Sequence, residues 1–184
     1  DQGLRLKIDQ AQALKGALQG QLNIVWQKQV SIFGHLSGSN LNPAAIDRKW
    51  NGVVNFCAAG QVDFEKDRPV EGKIEVTLLQ SRLHGRQLIG QARATFLGEN
   101  VMIENMMLQG KGFQLTAAGA IKSRVNLNLR IEDLSRLVPQ TSGVLAASGW
   151  MRLHNGRMGG ILSASGRQLA FNGMTVSSAK LEAS

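Results

Sequence analysis

The side chains best able to do chemistry are few and scattered in this sequence. It has three histidines, His35, His84 and His154, and one cysteine, Cys57. A zinc site needs three or four converging nitrogen or sulfur ligands, and these residues lie too far apart in the chain to form the usual ligand pairs. Each histidine reads instead as a polar-face or turn residue. Cys57 lies in the apolar run "VVNFCAAG" and reads as a small buried hydrophobe rather than a nucleophile. Standing alone, it forms no internal disulfide. No pair of carboxylates stands in an apolar setting, so general acid–base chemistry has no candidate. Ser163, Ser165 and Gly166 in "LSASG" lack the strand-to-helix elbow of a nucleophilic serine. "GENVMIENMMLQGKG" spaces its glycines roughly as a phosphate loop does, but without the strand–loop–helix context. The chain is therefore expected to be no enzyme and to hold no cofactor and no metal.

Charge and aromatic content bear on nucleic acid. The 184 residues carry a formal net charge of +8, which permits an anionic partner. No run of five residues is basic throughout, and scattered cations read as a solvated outer face. Single-strand binders stack bases on exposed aromatics in a basic groove. Here there are six phenylalanines, three tryptophans and no tyrosine. The phenylalanines mostly belong to strand patterns, and Trp26, Trp50 and Trp150 read as core plugs or caps. No nucleic-acid partner is expected.

The elements that must position any site are strands. Hydrophobic period two dominates. "SRVNLNLRIEDL" sets Val125, Leu127, Leu129 and Ile131 on one face and Arg124, Asn126, Asn128 and Arg130 on the other, the mark of a half-buried strand. "EGKIEVTLL", "GQARATFLG", "GFQLTAAGAI" and "QVSIFGHLSG" repeat the pattern, and seven weaker runs follow it. Gly98–Asn100, Gly110–Gly112, Asn155–Gly156 and Asn172–Gly173 supply turn signals between runs. About a dozen strands result, an all-β antiparallel meander. Two stretches break the period. In "LNPAAIDRKWNG", Asn42 and Pro43 suit a helix cap and first turn. In "EDLSRLVPQTSG", Asp133 or Ser135 caps a turn carrying Leu134, Leu137 and Val138. Each precedes a Gly-Val strand start, Gly52-Val53 and Gly143-Val144, which suggests units of roughly 90 residues: 1–51, 52–142 and 143–184. No apolar run reaches the ~18 residues of a membrane helix. The opening "DQGLRLKID" has no signal-peptide pattern and suits a section of a longer protein.

Alternation also assigns faces. It puts Ile74, Val76, Leu78, Ala92, Ala94, Phe96, Ile103, Met106, Leu108, Phe113, Leu115, Val125, Leu127, Leu129 and Ile131 on one apolar side. Lys73, Glu75, Arg93, Arg124 and Arg130 go to the other. An apolar face must be covered. Two packed sheets would do so, or a single sheet folded lengthwise would leave a trough for a ligand. Acyl chains in such a trough gain about 0.8 kcal/mol per buried methylene without specific polar contacts.

"LHGRQLIGQARATFLGENVMIENMMLQGKGFQLTAAGAI" resembles the repeat of the TamB family, and more loosely that of the wider AsmA-like superfamily. The matching positions are Leu83, Gly85, Arg86, Leu88, Gly90, the strand Ala92–Leu97, the turn Gly98–Asn100, the strand Ile103–Leu108 and the turn Gly110–Gly112. "SGSNLNPAAIDRKWNGVV" and "IEDLSRLVPQTSGVL" are similar to the family's proline-bearing helical turns. The resemblance implies an elongated, twisted antiparallel sheet folded lengthwise into a U-shaped open trough, with one or two short helical turns. It implies a periplasmic bridge, anchored in the inner membrane by an N-terminal helix outside this sequence. Such a bridge carries phospholipid acyl chains between the inner and outer membranes. It further implies an outer-membrane barrel protein of the Omp85 type as partner. A second reading is a chaperone-type module that offers its open sheet edge to strands of outer-membrane or autotransporter clients.

Overall fold

A computed structural model describes residues 2–26, 29–65, 70–136, 141–154, 156–171 and 174–183. It contains twelve strands. They are β1 (Gly3–Ala13), β2 (Gly16–Trp26), β3 (Val30–Leu41), β4 (Gly52–Phe64), β5 (Glu71–Leu83), β6 (Arg86–Leu97), β7 (Asn100–Gly110), β8 (Phe113–Ala120), β9 (Arg124–Ile131), β10 (Thr141–His154), β11 (Arg157–Phe171) and β12 (Met174–Ala183). Every strand pairs antiparallel with its sequence neighbours, in the order β1 to β12, within one open, uncurled sheet. No strand of this order lies out of sequence, so the fold is all-β, elongated and built from local pairings.

Some patterns needed redrawing. β1 is a strand that the runs named from the sequence do not include, although Leu4, Leu6 and Ile8 alternate with Arg5, Lys7 and Asp9. The run "GVVNFCAAG" continues through Gly60 to Phe64 as a single strand, β4. The turn after β1 is made by Leu14 and Lys15, both in the left-handed region with φ of 49° and 64°. That conformation disfavours a leucine, so the residue types gave no signal of a turn. His84 and Gly85 turn the chain between β5 and β6 in the same way, with φ of 51° and 76°.

Among the described residues the helical stretches are 3-10 turns, Pro43–Ala45 after β3 and Leu134–Arg136 after β9. The Asn42 side chain accepts the Ala44 N–H at 3.0 Å and caps the first, with Pro43 in its first turn and outside the ladder. In the second, Asp133 is the cap, accepting from the Ser135 N–H at 3.0 Å. Leu137, Val138 and Pro139 lie outside the described residues, as do Asn155, Asn172 and Gly173. β10 begins at Thr141, two residues before the Gly143-Val144 start read from the sequence. Gly143 instead sits at a register shift with φ +110°.

Register shifts recur along the sheet: at Ile8/Ala11, Gly38/Leu41, Leu78/Ser81, Ile103/Met106 and Ser142/Val144. Each inserts residues on one strand, as a bulge does, and changes the local twist. Ile103 and Met106 are three apart, so strict alternation does not give the common side assigned to them from the sequence; it would send them to opposite faces. The bulge at Glu104 and Asn105 returns both to the same one.

The sheet has almost no core. Among the described residues the buried apolar side chains are Leu41, Ala117, Val125 and Ile131. The solvent-accessible surface is 12962 Å², against about 8,700 Å² for a compact monomer of this mass. One layer with nothing opposite it accounts for the excess.

Candidate functional site: the apolar face of the sheet

Cross-strand partners in an antiparallel ladder project on the same side, so the register traces the faces directly. Val76, Ala92, Met106, Ala117 and Leu127 are successive partners from β5 to β9. Leu78, Gly90, Leu108, Leu115 and Leu129 form the next row. Ile74 meets Ala94, which meets Ile103, and Phe96 meets Val101. Phe113 meets Ile131, and Val125 meets Gly119. Every position assigned to the apolar side is therefore on one face, Ile103 and Met106 together only through the bulge between them.

The face extends beyond them. Leu36 and Ala58 continue the Val76 row toward Ile8 through Gly20. Leu22, Ile24 and Ile32 lie beside that row in β2 and β3, and Leu145 and Ala147, the partners of Ile131 and Leu129, prolong the face into β10. The alternation of Leu4, Leu6 and Ile8 carried the signal for the first of these. From β1 to β10, the one charged residue among the paired positions of this face is Arg86, at the first position of β6. Leu4, Leu6, Ile8 and Ile74 are 44–47% exposed, far above what a packed core allows.

Phenylalanine rings tile the face over glycines. Phe56, Phe96 and Phe113 are the cross-strand partners of Gly38, Gly72 and Gly110. Each ring lies where a side chain on its glycine would go. A ring over a bare backbone is broad, thin and apolar, and it leaves the face smooth.

The bulges are stitched by polar groups. Ser81 is 1% exposed, and its hydroxyl accepts the Asn55 N–H at 2.9 Å and donates to the Asn55 carbonyl at 3.2 Å. The Asn55 side chain in turn accepts the Asn40 N–H at 2.8 Å and donates to the Gln80 carbonyl at 2.7 Å. Backbone groups that lose a ladder partner at the bulges of β3 and β5 are so satisfied. No buried side-chain nitrogen or oxygen among the described residues lacks a partner.

The opposite face is polar and ion-paired. Arg93 lies 2.8 Å from Glu75 and 3.8 Å from Glu104. Lys73, Arg124 and Arg130 are likewise exposed there. Within β1, hydrogen bonding by Asp9 raises the Lys7 ammonium above its usual range, and between two turns hydrogen bonding by Lys122 lowers the Glu99 carboxyl. Both groups are fully in solvent and carry no chemistry. The readings of four residues change here. Cys57 is exposed on the polar face, between inward Phe56 and Ala58, not buried. Trp150 also lies on that face, with the Arg124 guanidinium 5.6 Å from its ring. Trp26 and Trp50 are 40% and 52% exposed. None of the three is a core plug, because the sheet has no core to plug.

A shallow depression of about 660 Å³ also lies largely on the polar face, between Thr116, Asn128, Arg130, Ser148, Ser163, Ser165 and Arg167. Long side chains rise there around small ones. An apolar face with nothing opposite encloses no volume, so depression size is no guide to it. Among the described residues no group of His, Cys, Asp or Glu is placed to hold a metal, and no helix is long and apolar enough to cross a membrane.

The family model for "TamB, N-terminal domain" matches residues 1–184. No curated protein and no solved structure matches the chain. An open twelve-stranded meander with one continuous apolar face, and a match to that model over its whole length, lead to one assignment: the chain belongs to the TamB N-terminal domain family.

Proposed function

We propose that the chain is a lipid-transfer section of an envelope-spanning protein. Its family implies a cell-envelope location. Its apolar face holds phospholipid acyl chains on their way between the inner and outer membranes, through the periplasm. No reaction is catalysed and no cofactor is used. The observation that carries this reading is the exposed apolar face, continuous from Ile8 to Ala147 and free of acids and lysines at its paired positions. Exposed apolar area on this scale marks a surface that something apolar covers. An acyl chain suits it because each methylene gains about 0.8 kcal/mol on burial wherever along the face it lies. Equivalent weak sites in series allow movement, and Met106 adapts to chains of different shape. A role in outer-membrane assembly with an Omp85-type barrel accompanies this reading as the resemblance implies.

The test is a mass spectrum of lipids that stay with the purified protein, joined to photo-crosslinking from Leu129 and, as control, Asn128. Phospholipid retained and crosslinked from position 129 alone is the expected result. Retention of no lipid, or equal crosslinking from both faces, overturns the reading.

The outer edge of β1 supports a second reading, a chaperone-type edge. β1 has one hydrogen-bonded neighbour, β2, and such an edge accepts an added strand. Proline substitution at Arg5 would then abolish client binding and leave lipid retention intact.

A further inference from the structure

Where the apolar face meets the turns, its charge changes. Arg82, Gly85, Arg86, Gln87, Lys111 and Phe113 line one depression of about 430 Å³. It lies between the turn joining β5 to β6 and the turn joining β7 to β8. Three of its six lining residues are cations and none is an acid. We propose that this depression is a binding station for the phosphoryl group of an amphiphile whose chains lie on the apolar face. The proposal rests on the lipid reading above and adds the headgroup chemistry to it.

Phe113 belongs to both surfaces. Its register partners are Gly110 and Ile131 on the apolar face, its ring covers Gly110, and it also lines the depression. The ring is therefore the hinge between apolar and basic ground. Arg86 pairs with Leu83, whereas Arg82 pairs with Gln87, so the two arginines leave the sheet on opposite faces. They stay close because His84 and Gly85 make a two-residue turn in the left-handed region. A phosphoryl group at the sheet margin is then reached by one guanidinium from each side and by the Lys111 ammonium. Charge-assisted hydrogen bonds to such an anion are the strong kind. Arg82 and Lys111 have no ion-pair partner among the described residues. Both are exposed, so the attraction is screened by salt. That weakness suits a station that must release its cargo.

The experiment uses the whole chain and three soluble probes in calorimetry at low salt. They are a short-chain phosphatidic acid, glycerol phosphate as the head alone, and the matching short-chain diacylglycerol as the chains alone. The variant is Arg82→Gln with Lys111→Gln, both on the surface, with its sheet checked by circular dichroism. The expected result is that phosphatidic acid binds tightest to the native chain. The variant then loses about tenfold, as two exposed pairings would give, and diacylglycerol binds both proteins equally. If the variant holds phosphatidic acid as tightly as the native chain, the station is wrong and the apolar-face reading stands. If glycerol phosphate binds as tightly as phosphatidic acid, or no probe binds, the amphiphile station and the apolar-face reading fall together.

Discussion

The Phe96 ring lies over Gly72 on the neighbouring strand, so closely that a methyl group at position 72 would sit 2.5 Å from its tip and 2.5 Å from the Gln61 carbonyl oxygen. The pair shows how a single sheet keeps a smooth apolar face: one residue gives up its side chain so that its partner can lie flat. Gly72→Ala should therefore cost about 1–3 kcal/mol, the range for inserting carbon into filled space. Phe96→Leu added to it should recover only part, because the clash with the carbonyl remains. Urea denaturation of the single and double variants measures both. A neutral Gly72→Ala would mean the ring is not held there.

The Ser81 hydroxyl serves both backbone groups of Asn55. Its removal leaves a donor and an acceptor without that partner in a buried place. Ser81→Ala should destabilise the protein by about 1–3 kcal/mol. Ser37→Ala, whose exposed hydroxyl donates to the Gln19 carbonyl at 3.3 Å, should change stability little. Equal denaturation midpoints for the two variants would remove the bulge-stitching role from Ser81.

Leu127 and Arg130 lie on opposite faces of β9. Leu127→Arg places a charge in the middle of the proposed acyl path, where an unpaired charge in apolar surroundings is costly. It should suppress lipid crosslinking from Leu129 and from Leu115. Arg130→Leu should leave both intact. Equal loss from the two substitutions would separate the alternation from lipid binding.

Twelve strands at ~4.8 Å spacing make a slab about 53 Å long. Its radius of gyration should be about 19 Å by the same spacing, against about 16 Å for a compact chain of this length. Small-angle scattering of the monomer distinguishes the two. The compact value would mean that the sheet closes on itself in solution.

The alternation of Val125, Leu127, Leu129 and Ile131 with Arg124, Asn126, Asn128 and Arg130 was enough to establish strands, their antiparallel order and the two faces. Side chains in a strand alternate by geometry, and short turns force sequence neighbours to pair. The turn at Asn42 and Pro43 was legible for the same local reason: a capping side chain and a ring that fixes φ act within a few residues. Tertiary structure decided what depends on the neighbouring strand. Ile103 and Met106 share a face only because β7 bulges against β8. Ser81 has its two partners only because Asn55, twenty-six residues away, presents backbone groups that a bulge leaves out of the ladder. Cys57 and Trp150 read as core from the sequence because its apolar content suits one, whereas the sheet leaves both faces open. The basic station of Arg82, Arg86 and Lys111 was invisible as well, since two turns far apart in sequence meet at one margin. Period and propensity are properties of a single strand; register, bulges and the convergence of turns exist only between strands, where hydrogen-bond pairing sets which residues meet.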